Sequence, residues 1–347
     1  MILMHLNNPV YNFQTREIYS PELIPKVYGR QVETLHSDLF IWLNNRLTSI
    51  QRVYADKLYK YLGSAQLENV MLQTYGLSIN DNYWVTDADN LDSIKWEDIS
   101  PFHNKLNEDI AELALTGKHT NCSCSSLITP EYTLSGTYPK CVEYGFTGLV
   151  LYKLGKSSEL EAEIFAFHVA MALGIKTVQY HLCSKYNLDA VASPICTNEK
   201  VSWISAFDST KFFEQNFGMN VYDFAATYFP LPFYQMVVLD GLILNPDRHL
   251  QNWSFELDGY TNQLLGLAPC YDYNRAFTAT RTDMSREIPH HNLLSAARKA
   301  FPKSGIDENR MIGLIGLVGN LPKHLQDSFY NRVLYIIGKK SSQDNCF

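Results

Sequence analysis

No stretch of this sequence reaches the ~18 consecutive apolar residues that a membrane-spanning helix needs. The opening MILMHLNNPV has no basic run, and its apolar segment is too short for a secretory signal, so a cytoplasmic protein with no membrane association is expected. Excess positive charge is also missing: 29 Lys and Arg stand against 36 Asp and Glu, and the isoelectric point is near 5.8. A chain with a formal charge of −7 offers no broad basic surface for nucleic acid, so any link to DNA is expected to run through a protein partner. Cysteine is sparse. Of the seven, only Cys122 and Cys124 lie close together, at a gap that matches no usual zinc spacing, and a reducing compartment fits this usage. Internal repeats and low-complexity tracts are absent as well.

What remains is an ordinary folding composition, 46% hydrophobic and 19% charged, in a chain of 347 residues that can hold two or three cooperating units. Residues 1–125 form the first unit. Within it Leu35, Leu39, Trp42, Leu43, Leu47, Ile50, Val53, Tyr54, Leu58 and Leu62 recur at steps of three and four, which predicts one long amphipathic helix. The stretch YWVTDADNLDSIKWEDISPFH is rich in Asp and Asn and reads as connection. In residues 126–208 the pattern becomes strand, glycine turn, strand, as in YTLSGTYPKCVEYGFTGLVLYKLG, which predicts a twisted antiparallel sheet. A helix follows at once in SSELEAEIFAFHVAMALGI, with Ser157 or Ser158 as its cap and Gly174 as its stop. Residues 209–347 read as mostly helical, interrupted by one hairpin.

The chemistry concentrates in LNPDRHLQNWSF and CYDYNRAF. Asp247 and Asn252 are five apart after an apolar run, and WSFELDGYTNQLLGLAP reads as two short strands around a polar turn that bring Asp272 back beside Asn252. Phosphoryl transfer uses such a set: one carboxylate to orient the attacking hydroxyl, and an Asn with a second Asp to hold magnesium on a triphosphate. It also needs a cation on the phosphates, an acid to orient that cation and a glycine turn over the nucleotide. Lys153 in VLYKLG, Glu163 on the next helix, and Ser135, Gly136 and Thr137 in TLSGTYPK occur in the required order. Taken singly each has a plainer explanation: a solvated turn, a surface lysine, a helix-capping acid, a hairpin glycine. A metal site on His249, Asp247 and His103 is a further alternative. The ordered set favours the phosphotransferase.

At these residues the sequence resembles the HipA-like serine/threonine kinases. The resemblance rests on TLSGTYPK, LYKLG, ELEAEIFAFHVAMALGI, WISAFD, LNPDRHLQNWSF and CYDYNRAF, and runs from about Leu127 to Phe277. It implies an α+β, two-lobed protein-kinase-like fold with an additional N-terminal α/β domain, working with ATP and Mg2+. Carried over, Asp247 is the catalytic carboxylate, Asn252 and Asp272 are metal ligands, Lys153 is the phosphate-binding lysine and Glu163 its partner. The backbone of Ser205 and Ala206 would meet adenine, with Phe207 packed nearby. Thr133, with Ser135 beside it, occupies the position where the family can phosphorylate its own loop and switch itself off. The resemblance also implies a protein substrate and an antitoxin-like protein partner. Residues 1 to about 120 depart from the toxin members and look more like stand-alone HipA-like proteins. A catalytically silent kinase-like binding module and a lipid or small-molecule kinase are the competing expectations.

Overall fold

The computed structural model describes residues 1–27, 32–118, 128–277, 293–319 and 323–339. Cys122, Cys124, Cys346 and the expected boundary at residue 125 lie outside the described residues. Among those described, no helix is long and apolar enough to cross a membrane.

The chain opens with a three-stranded antiparallel sheet in which β1 (Ile2–His5) lies between β2 (Asn8–Asn12) and β3 (Tyr83–Thr86). Every residue of β1 and of β3 is buried, because helices and the rest of the molecule cover both faces. The long helix expected over Leu35 to Leu62 is two helices, α1 (Val32–Arg46) and α2 (Ala55–Leu62). Ile50 is 81% exposed and Val53 45% exposed, so the regular apolar spacing continues through residues that never share a buried face. Hydrogen bonds from Thr48 and Arg52 to residues 131–140 replace the helical ones there, and Tyr54 at φ 69° starts α2 afresh. Next come α3 (Leu67–Thr74), α4 (Trp96–Ile99) and α5 (Glu108–Thr116). The stretch expected to be plain connection thus contributes β3 and α4, its aromatic residues Tyr83, Trp84 and Trp96 being buried.

A second antiparallel sheet follows, built from β4 (Lys140–Gly145), β5 (Gly148–Leu154), β6 (His181–Lys185) and β7 (Leu188–Pro194) in the order β4-β5-β7-β6. Between β5 and β6 lies α6 (Ser157–Leu173), stopped as expected by Gly174 at φ 72°. Its cap differs from expectation. Ser157 and Ser158 are already helical, and the Lys156 N–H donates to Glu159 Oε2 at 2.8 Å.

The strand β8 (Val201–Ser205), expected as the last strand of that sheet, pairs instead with β9 (Ser254–Asp258), and β10 (Leu264–Leu267) completes a third sheet. Between β8 and β9 run α7 (Ala206–Phe217), α8 (Val221–Tyr228) and α9 (Pro230–Ile243); after β10 come α10 (Leu293–Ala300), α11 (Glu308–Gly313) and α12 (Lys323–Ile336). One apolar core joins Leu3, Leu39 and Trp42 of the first segment to Phe213, Leu239 and Phe255 of the last. Polar contacts tie the same parts together. Asn82 Nδ2 donates to the carbonyls of Glu199 and Gly259, each at 2.8 Å, and Trp96 Nε1 donates to Glu199 Oε1 at 2.6 Å. A Cβ at Gly259 would stand 2.1 Å from the Glu199 oxygen, so only glycine allows that approach.

Candidate active site

Lys153 lies next to the end of β5, with α6 beginning four residues later. Its ammonium is 2.8 Å from Glu163 Oε1 on α6 and 2.7 Å from Asp272 Oδ1 beyond β10, and the ring of Tyr138 lies 5.4 Å away. The second Glu163 oxygen accepts the Tyr273 N–H at 2.9 Å, and the Asp272 N–H donates to the Tyr180 hydroxyl at 3.0 Å. Glu163 therefore anchors both the lysine and the segment that carries Asp272. That segment turns sharply: Asp272 has φ 60°, a left-handed conformation that Asp tolerates better than most residues. Burial raises the Asp272 carboxyl, but the Lys153 and Lys140 ammoniums outweigh it and hold the group at about 2. Lys153 is 8% exposed and Glu163 1% exposed; burial works against the charged lysine, and its two carboxylates more than reverse that effect.

The loop after α9 carries Asp247 and Asn252, and a buried arginine shapes it. Arg248 donates through Nε to Asp240 Oδ2 at 3.0 Å and through Nη2 to Asp240 Oδ1 at 3.1 Å; its Nη1 reaches the carbonyls of Asn252 and of Tyr271, the latter at 2.6 Å. One guanidinium thus pins the residue beside Asp272 to the far end of the Asp247 loop. Asn245 Nδ2 donates to Asp240 Oδ1 at 3.0 Å, and Asn245 Oδ1 accepts the Asp247 N–H at 3.2 Å. Asn252 Nδ2 donates to the Asp247 carbonyl at 2.8 Å, which fixes the side-chain amide with Oδ1 as its acceptor atom. Burial raises the Asp247 carboxyl above its ordinary value, with Arg275, 3.7 Å away, and His249 pulling the other way.

The TLSGTYPK loop packs against Lys140. Gly136 sits at φ 90°, and a Cβ there would stand 2.7 Å from Lys140 Nζ, which donates to the Ser135 carbonyl at 2.6 Å. Ser135, Gly136 and Thr137 are exposed; Thr133 is buried, its hydroxyl donating to the carbonyls of Leu77 and Pro130. Burial lowers the Lys140 ammonium to about 7, with Lys153 adding to the effect.

One expectation needs correction, and another meets bonds within the protein. The Ser205 backbone pairs with Ser254, the Ala206 N–H donates to Trp253 O at 3.1 Å and the Phe207 N–H to Leu250 O at 3.0 Å. The Ser205 side chain caps α7, so the Ala206 and Phe207 amides are bonded within the protein where β8 enters the helix, while the Phe207 ring remains exposed. His103, for its part, pairs with Glu199 at 3.1 Å and His249 Nδ1 accepts the Gln251 N–H at 3.2 Å. Among the described residues no three His, Cys, Asp or Glu side chains gather to hold a metal, which removes the His249, Asp247 and His103 alternative.

No family model and no curated protein matches the sequence. Solved structures do match the fold. The HipA chain of a Shewanella oneidensis toxin–antitoxin complex with HipB and operator DNA aligns with a TM-score of 0.54 at 12% identity, over 96% of this chain and 87% of that one. This chain has the α+β HipA-like kinase fold. The proinflammatory kinase CtkA of Helicobacter pylori matches with a TM-score of 0.40 at 15% identity, over 58% of this chain and 90% of that one.

Within this HipA-like fold the structure brings Lys153, Glu163 and Asp272 into direct contact and seats Asp247 and Asn252 on one braced loop. Arg248, Asp240, Tyr180 and Lys140 are the site residues that spacing alone misses. A charged residue inside the apolar run VVLDGLIL is the one signal that points to Asp240 and hence to a buried partner.

Proposed function

We propose that the chain is an ATP-dependent serine/threonine protein kinase of the HipA-like type. The carrying observation is Lys153, held at 2.8 Å by Glu163 and 2.7 Å by Asp272, two acids that lie 10 and 119 residues from it in sequence. Lys153 would place its charge on the ATP phosphates, with Glu163 fixing its direction. Asp247 would take the proton of the acceptor hydroxyl as its oxygen bonds to the γ-phosphorus and the bond to the β-phosphate oxygen breaks, releasing ADP. Its raised carboxyl suits a base that must accept a proton. Asn252 Oδ1 and the Asp272 carboxylate, which stays ionised, are the hard oxygen donors that magnesium requires; the ion would neutralise triphosphate charge. The Ser135 to Thr137 loop would cover the phosphates.

Self-inactivation at Thr133 requires the loop to leave its seat, because that hydroxyl is buried; Ser135 is exposed where it stands. The HipA neighbour was solved with HipB and operator DNA, and an antitoxin-like protein partner is proposed here on that likeness. The committed Ala206 and Phe207 amides favour one competitor, a kinase-like module that binds partners without turnover. Incubation of the full chain with magnesium and γ-labelled ATP, with and without serine- and threonine-bearing protein acceptors, decides between them. Label on protein hydroxyls, or on Thr133 or Ser135, is expected; a folded chain that binds no nucleotide overturns the kinase, and label only on lipid or small acceptors overturns the protein substrate.

A further inference from the structure

The break between α1 and α2 is built around the TLSGTYPK loop. The Thr48 N–H donates to Tyr132 O at 2.8 Å, and its hydroxyl donates to Glu131 O at 2.7 Å and Leu134 O at 3.0 Å. Arg52 Nη1 donates to Glu131 O at 3.2 Å, its Nη2 donates to Lys140 O, and the Val53 N–H donates to Thr137 O at 3.1 Å. Thr48 and Arg52 are both buried. Residues Thr48 to Val53 thus hold the carbonyls of Glu131, Tyr132, Leu134, Thr137 and Lys140. In a planar trans peptide the C=O and the following N–H point opposite ways, so a carbonyl fixed toward this segment turns the next N–H away from it. Holding Leu134 O and Thr137 O therefore aims the N–H groups of Ser135 and Tyr138 away from the clasp. Tyr138 is the residue whose ring faces the Lys153 ammonium.

We propose that Thr48 to Val53 form a clasp that seats the phosphate-covering loop, with Arg52 the positioning residue that holds its two ends at Glu131 O and Lys140 O while Thr48 and the Val53 N–H turn the Ser135 and Tyr138 amides toward the nucleotide. The N-terminal segment then belongs to the ATP site without touching ATP. This rests on the kinase reading above. A charged fork on two carbonyls suits the task, because a planar guanidinium fixes direction as well as distance.

The test uses the full chain with Arg52→Met, Arg52→Lys, Thr48→Val and Thr48→Ser, reading thermal melting, hydrogen exchange of residues 133–140, and Mg-ATP affinity. Arg52→Met is expected to speed loop exchange and to weaken Mg-ATP binding by about tenfold, the loss of roughly one charged hydrogen bond. Arg52→Lys keeps the charge but not the planar fork, so it is expected to regain only part of the affinity and of the loop protection while melting like the parent, a separation that a merely structural residue would not produce. If Arg52→Met fails to fold, Thr48→Val carries the same exchange and affinity test, and Thr48→Ser restores the parent. Folded variants with parental exchange and affinity overturn the clasp. A parent that binds no Mg-ATP overturns the kinase reading instead, and loop exchange alone then decides whether Arg52 seats the loop.

Discussion

At the scale of single residues, the site turns on how few charges serve several contacts. Asp272 holds an ionised carboxylate in a partly buried position because the Lys153 and Lys140 charges outweigh the cost of its burial. Asp272→Ala is expected to weaken magnesium-dependent ATP binding by about tenfold or more while binding measured without magnesium changes little, since the proposed function makes this carboxylate a ligand of the ion. Calorimetry with and without the metal checks this. Lys140 gives a pH test. Burial and Lys153 lower its ammonium to about 7, and bound phosphates would raise it again. Nucleotide binding should therefore take up a proton, with affinity highest below that pH and falling as pH rises through it. Lys140→Met should flatten the fall. In the sequence Lys140 is only the end of a glycine loop; its importance comes from Gly136 lying against its ammonium, a contact that no spacing rule reveals.

At the scale of elements, the loop between α9 and β9 is the part that must be rigid. Arg248 is 1% exposed and satisfies Asp240 on one side and the carbonyls of Asn252 and Tyr271 on the other. Arg248→Ala leaves the Asp240 carboxylate buried without its cation, which costs about 3–5 kcal/mol in comparable pairs. Urea denaturation should show a loss of that order, larger than for Asp247→Ala, whose side chain is 30% exposed. The hairpin that carries the chain back to Asp272 was legible in WSFELDGYTNQLLGLAP because alternation and a polar turn are local signals. The break at Leu47 was not, because apolar residues continue in register through it; long-range bonds from Thr48 and Arg52 override the local preference. The partner of β8 was illegible for the same reason, since sheet order depends on contacts between residues about fifty apart.

At the scale of the whole molecule, the first 118 residues are packed into the kinase-like body rather than appended to it. His5 on β1 is buried against Tyr83, with the ring centroids 4.6 Å apart. Burial lowers its imidazole to about 4, against smaller raising effects from Gly259 and Asp258. Its unfolded value is 6.5, so the unfolded chain takes up a proton that the folded one refuses between those two pH values. The stability this group contributes is complete above 6.5 and falls by roughly 3 kcal/mol as pH drops toward 4. Urea melts of the parent and His5→Gln over that range should show the variant losing less.

The central claim, that Asp247 drives phosphoryl transfer from an ATP bound beside Lys153, is tested most directly by comparing the parent with Asp247→Asn for Mg-ATP affinity and for transfer of the γ-phosphate to protein hydroxyls. The expected result is parental affinity with transfer reduced about 10²- to 10⁴-fold, because the carboxylate meets the acceptor rather than the nucleotide. Equal transfer by both proteins, or affinity and transfer lost together, would contradict it.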